Sequence, residues 1–375
     1  MTGQPSPSLA AKRAFETIKA HARIVAIRPL DASWHSMEVD FRVPLSNRWQ
    51  AAGQSPNAVR AVETVTFTFG AAYPLLAPRV ELREDFDRSH PHLQPGPASA
   101  APRPCYFEGD PQDLFRYRGI VGVVDQVADW LEKAASASLI DRDQGWEPVR
   151  RDNADDWMEV NPGRIRDLVT PAGGSSFFPA WHGLLTTQSG HRHYGIALDD
   201  TSIKIDTPNF NRILLRRDRL GVAAVLWGGR AASGGAFVAD GYLPETVEVV
   251  TDLFERAKLY GVQEHLRGAL SLVGQRLGRT TLTHPILLSI VMLVRRPMDL
   301  IGQGSPIEIV PYVIEVSAAR DIAERSGHPV RSCLVRVTVS RARLAEVSGA
   351  AALADASLSL LGCGSVGSKV ALHLA

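Results

Sequence analysis

The sequence predicts a mixed α+β protein built from two or three domains, and three observations carry that reading. The chain has 375 residues, more than the roughly 100–200 that one domain usually holds. Strand-type alternation recurs between Met37 and Leu82, with helix-type apolar stripes on both sides of it. Near the end, an apolar strand runs into a glycine-rich turn that opens a new helix.

The elements follow in order. Ala11, Phe15 and Ile18 recur at helical spacing after the possible caps Ser6 and Ser8, so one helix face is apolar. Strand signals come next at Ile24–Ile27, at Met37, Val39, Phe41 and Val43, and at Val65, Phe67 and Phe69, the last two sets alternating with polar residues. Tyr73-Pro74-Leu75-Leu76-Ala77-Pro78 interrupts strand pairing and leads to a fourth strand at Val80 and Leu82. From Asp87 to Phe115 periodicity is lost, and the stretch Ser89–Pro111 holds six prolines and two glycines, which reads as a long irregular loop. Ile120, Val123, Val124, Val127, Leu131 and Ala134 then form a helical stripe, with Asp125, Asp129 and Glu132 facing away.

The charged stretch Asp141–Asp156 marks a boundary, giving a first domain over 1–148 and a connecting α+β domain over 149–340. The connecting domain shows strand-like pieces at Ala223–Trp227, Ile286–Val294, Ile307–Val316 and Cys333–Val339, a helical pair at about Pro244–Tyr260 and Val262–Leu277, and glycine turns at Gly228-Gly229 and Gly234-Gly235. Residues 341–375 read as a helix, a strand at Leu358–Leu361 and the start of another helix.

Composition narrows the function. Hydrophobic residues make up 45% and charged residues 22%, as in globular proteins. Lys and Arg number 41 against 40 Asp and Glu, a formal net charge of +1 that supplies no field for nucleic acid or an anionic membrane. The N-terminus lacks a signal-peptide core, and Ile286–Val294 falls far short of the roughly 20 residues a membrane span needs. Cys105, Cys333 and Cys363 are odd in number and widely spaced, which suits neither a disulfide framework nor a zinc site and predicts a reducing, cytoplasmic setting.

Two motifs carry chemistry. Gly362, Gly364 and Gly367 form G-x-G-x-x-G between a strand and a helix, where glycines permit a tight turn, close phosphate approach and close helix–strand packing. Spacing leaves dinucleotides and ATP both open as ligands, and a plain glycine turn is the bland alternative. The second motif is Cys105, in the irregular loop with His90-Pro91-His92. A thiolate accepts an acyl group best when exposed and polarised, and His92 or Arg103 could lower its pKa. Zinc held by His90, His92 and Cys105 lacks a fourth ligand, a metalloprotease reading lacks a nearby Asp, and Glu108 and Asp110 read as solvated.

Both motifs resemble parts of one conjugation machinery. The run Arg341–Ala375 resembles the opening of the ThiF-like adenylyltransferases, which include the ubiquitin-activating enzymes. That resemblance implies a Rossmann-like domain with ATP phosphates over Gly362, Gly364 and Gly367, here only its first βα unit. The family's other ATP and metal ligands have no counterpart in this chain, so ATP and Mg²⁺ are expected in a full-length protein and not on this fragment. Residues 6–136 resemble the ubiquitin-conjugating enzymes: helix, four-strand meander, Tyr73-Pro74…Pro78, His90-Pro91-His92, Cys105 and a C-terminal helix follow that order. The resemblance implies that Cys105 is the thioester cysteine and that His90 orders the loop. His92 stands where the family has an oxyanion-steadying Asn, a role a neutral His can serve through one N–H. The insertion Pro95–Arg103 stretches the spacing to the cysteine.

Together the two resemble bacterial fusions of ubiquitin-conjugating and ubiquitin-activating enzymes, found in anti-phage cyclic-oligonucleotide signalling systems and other ubiquitin-like operons. Such a protein would adenylate a protein C-terminus, carry it as a thioester and pass it to a target amine. The expected partners are a ubiquitin-like modifier or a signalling-enzyme C-terminus and a target amine, with no nucleic acid and no membrane. Activating enzymes of this kind are commonly dimers, which adds a homodimer to the expectations. The rivals are a nucleotide (NAD)-binding oxidoreductase fragment, indifferent to Cys105, and a catalytically silent ubiquitin-conjugating-like scaffold.

Overall fold

The computed structural model describes residues 9–152, 154, 156–184, 192–196, 220–231 and 233–337. The glycine motif and Cys363 lie outside the described residues.

The N-terminal part is built on a four-stranded antiparallel sheet in the order β1-β2-β3-β4, comprising Ile24–Pro29, Ser36–Arg42, Val62–Thr68 and Arg79–Leu82. The alternation that predicts these strands is also what packs them, since Met37, Val39 and Phe41 of β2 and Val65 and Phe67 of β3 are buried on one face. Glu63 shares that face, and it is accommodated because Arg83 Nε donates to it at 2.6 Å and the Arg60 backbone N–H at 2.8 Å. The first helix, α1 (Leu9–Lys19), buries Ala11, Ala14 and Ile18, while Phe15 is only partly buried and meets Trp34. A short helix absent from the sequence reading, α2 (Asn47–Ala52), ends on Gly53 in the left-handed region at φ 77°.

The long helix α3 (Pro111–Ala135) begins earlier than its apolar stripe suggests. Asp110 caps it, its carboxylate accepting the Gln112 N–H at 2.9 Å with Pro111 in the first turn. Asp110 stays exposed to solvent, as the sequence reading has it, and the cap is a role added to that. Gly119 adopts φ 62° and ψ −159°, so the helix is kinked there.

The second part is a closed barrel of seven strands: β7 (Asp156–Val160), β8 (Gly174–Leu184), β9 (Arg192–Ile196), β10 (Leu220–Trp227), β11 (Ile286–Arg295), β12 (Ile307–Val316) and β13 (Arg331–Val337). Their order around the barrel is β10-β11-β12-β13-β7-β9-β8, with β8 pairing back onto β10. The continuous apolar run of β11 has a physical reason. Val291 and Leu293 fill the barrel interior, whereas Leu288, Ile290, Met292 and Val294 face two helices packed outside, so both faces are buried. Those helices are α5 (Val250–Leu259) and α6 (Gln263–Leu277), following a one-turn α4 (Pro162–Arg166). The first of the pair starts at Val250 instead of Pro244, with the Asp252 carboxylate accepting the Glu248 and Val249 N–H groups.

The segment between the two parts is packed, not loose. Trp146 is buried, its backbone N–H donating to Asp299 O at 2.7 Å and its backbone carbonyl accepting from Ile301 N at 3.0 Å. Gly145 has φ 107°, and a side chain there would strike Asp299 O, so glycine is required for this approach. Val149 N donates to Glu308 Oε1 at 2.6 Å. Arg150 turns the other way, giving Nη1 to His90 O at 3.0 Å and Nη2 to Arg88 O. Charge in this stretch therefore serves as a clip between sheet domain and barrel.

Candidate active site

Pairing explains how the loop brings residues 92 and 105 together. Two-residue strands β5 (Leu93–Gln94) and β6 (Arg103–Pro104) pair antiparallel, Leu93 opposite Pro104 and Gln94 opposite Arg103. The intervening residues are looped out, and Arg88 Nη2 ties that loop through Pro97 O at 2.9 Å and through Ala100 O. The insertion that lengthens the sequence spacing thus leaves the geometry short: the Cys105 N–H donates to His92 O at 2.7 Å. His92 O also accepts from Trp130 Nε1 of α3 at 3.2 Å. His92 itself sits at φ 53°, an uncommon left-handed conformation held by these contacts.

His90 lies behind the loop. It is 7% exposed, its Nε2 bonds Asn57 O at 2.9 Å, and its ring packs against Phe86 with centroids 5.2 Å apart. Burial, the largest influence, pushes its pKa down. Its Nε2 is thereby committed to Asn57 O, which ties the loop to the segment before β3. Among the described residues, no group of three or more His, Cys, Asp and Glu side chains is placed to hold a metal ion.

Cys105 is exposed at the mouth of a cleft of about 560 Å³. Its walls include His92, Glu108, Asp129, Trp130, Lys133 and, from the barrel, Ile301. Desolvation by the surrounding protein, followed by the charge of Glu147, pushes its pKa up. This corrects the expectation that His92 or Arg103 would lower it. Cys333, by contrast, is buried inside the barrel and pushed up to about 12, mainly by burial. Glu108 accepts from Gln144 Nε2 at 3.0 Å.

The sequence reading missed Glu147, whose Oε2 accepts the His92 backbone N–H at 2.7 Å and lies 3.7 Å from His92 Nδ1. It also missed Trp130 as the anchor of His92. Neither stands in a local pattern with the cysteine, so only the fold reveals them.

The site thus places an exposed cysteine on an irregular loop beside a four-stranded antiparallel meander, with a buried histidine on the same loop and a long helix behind it. Residues 12–164 match the family described as Prokaryotic E2 family A, so the N-terminal part is E2-like and tied at that level to ubiquitin-like conjugation. A solved structure described as "Novel Ubiquitin-Conjugating Enzyme" is similar over 32% of this chain and 71% of its own, at 19% identity and a TM-score of 0.23. No curated protein matches the chain. Among the described residues no helix is long and apolar enough to cross a membrane.

Proposed function

We propose that Cys105 accepts the C-terminal acyl group of a ubiquitin-like modifier as a thioester and transfers it to an amine on a target protein. The observation that carries this reading is the placement of an exposed thiol at a cleft mouth, its backbone tied to His92 at 2.7 Å. In transfer, the amine nitrogen attacks the thioester carbonyl, a C–N bond forms, the C–S bond breaks, and sulfur leaves as thiolate before taking up a proton. A silent scaffold would have no use for an exposed thiol so held.

The finer reading extends this to a bacterial conjugating–activating fusion of the anti-phage kind, cytoplasmic, whose ThiF-type domain begins at residue 341. When bound, ATP and Mg²⁺ would supply adenylation of the modifier C-terminus, with the phosphates over Gly362, Gly364 and Gly367. This part rests on sequence resemblance, and those glycines lie outside the described residues.

The test uses the full-length enzyme with ATP and its modifier. Cys105→Ala should abolish conjugation and Cys105→Ser should trap a more stable ester, whereas Cys333→Ser and Cys363→Ser should conjugate normally. A wild-type rate in Cys105→Ala would refute the assignment.

A further inference from the structure

Glu147 comes from neither the sheet nor α3 but from the segment that enters the barrel. One carboxylate oxygen binds the His92 backbone and faces Nδ1 of its ring, as described above. The other accepts from the Tyr242 hydroxyl at 3.5 Å, and Tyr242 lies between β10 and α5 of the barrel part. The neighbours of Glu147 are pinned to the barrel as well, Trp146 at Asp299 and Ile301 and Val149 at Glu308. The carboxylate is therefore held by barrel contacts while it acts on the conjugating site.

We propose that Glu147 is the positioning residue that makes His92 the proton acceptor during amine attack on the Cys105 thioester, and that the barrel completes the site through Tyr242. The inference rests on the thioester reading of Cys105. A neutral imidazole carries one ring hydrogen, and a carboxylate facing Nδ1 favours it there, leaving the Nε2 lone pair free to accept a proton. The attacking amine forms its C–N bond and passes one N–H proton to His92 Nε2, while the C–S electron pair leaves with sulfur. His92 then returns its proton to the Cys105 thiolate, which restores both groups. The elevated affinity of that thiol for its proton favours this return. On this account His92 is an acid–base residue, and the neutral oxyanion-donor role would need the opposite tautomer. The other charged groups around the cleft are Glu108, Asp129 and Lys133; Arg150 faces Glu147, and Asp152 and Glu308 act on Tyr242.

Glu147→Gln isolates the charge, because the amide oxygen can still accept the His92 backbone N–H. The chain would be loaded with a fluorescent glycyl peptide thioester and discharged onto free lysine in single turnovers. Loading should stay within about threefold of wild type while discharge at pH 7 falls about tenfold or more, toward the range a general base contributes. Tyr242→Phe should act in the same direction and less strongly. Added to His92→Ala, Glu147→Gln should have no further effect. Discharge within about threefold of wild type, or a full further loss in the His92→Ala background, would overturn the proposal. Nitrogen NMR of the His92 ring decides independently of acyl transfer: a hydrogen on Nδ1 at pH 8 is expected, and a hydrogen on Nε2 would overturn the inference. Failure of wild type to load would instead count against the thioester reading.

Discussion

His90 gives the candidate site a calculable pH dependence. In the unfolded chain its imidazole takes a proton near pH 6.5. In the folded protein burial lowers that pKa, with Arg150 and Arg83 acting the same way and Asn57 O and Asp87 opposing. Above about pH 6.5 both states are neutral and the stabilisation is fully present. As pH falls from there through the lowered folded value, the unfolded chain binds the extra proton first, so stability declines by up to about 1.4 kcal/mol per pH unit. His90→Gln removes the titration but can keep a side-chain N–H for Asn57 O. It gives up the ring contacts with Phe86 and Trp130, whose centroids lie 5.2 and 6.4 Å from that of His90, at a cost of about 1–3 kcal/mol near neutral pH. Urea unfolding of both proteins between pH 8 and 5.5 is the assay. The stability gap between them should be flat above pH 7 and shrink below 6.5, by up to the slope above. A constant gap across the whole range would show that His90 is not the titrating group and refute the reasoning.

Iodoacetamide followed by peptide mass mapping should label Cys105 and spare Cys333, and at pH 8 Glu147→Gln should speed the labelling of Cys105 because a negative charge that pushes the thiol up is removed. Asp110→Ala should cost about 1 kcal/mol in denaturant unfolding by uncapping α3, with Asp110→Asn close to wild type. Arg296 is buried and donates to Glu308 at 2.7 Å and to the carbonyls of Ala239 and Gly241. Arg296→Met should therefore cost about 3–5 kcal/mol, visible as a lower thermal midpoint, and pairing it with Glu308→Leu should recover part of that loss because no lone charge stays buried.

Strand periodicity made the sheet of the N-terminal part legible. Met37, Val39 and Phe41 and their partners Val65 and Phe67 alternate because one face is buried and the other is not. The barrel was only half legible. Its β11 and β12 stand out as long apolar runs, but β8 carries Pro179 and Gly183 within it, and β7 opens on a buried Asp156 that is satisfied by Arg331 Nε at 2.6 Å. A proline and an acid read as loop until a barrel supplies their pairing and their counterion.

The site divides along the same line. Cys105, His90 and His92 were named from their loop and from a family resemblance, since chemistry-bearing residue types are visible one at a time. Their electrostatics were not. The sequence suggested a thiol polarised by His92 or Arg103, and the fold instead surrounds it with protein and places Glu147 beside His92. By itself the sequence determined where chemistry-bearing side chains and alternating strands stand along the chain, because both depend on residue type and local period. Only the tertiary structure decided the thiol's proton affinity, the partner of His92 and the reach of the barrel into the cleft, because desolvation and charge act through space between residues far apart along the chain.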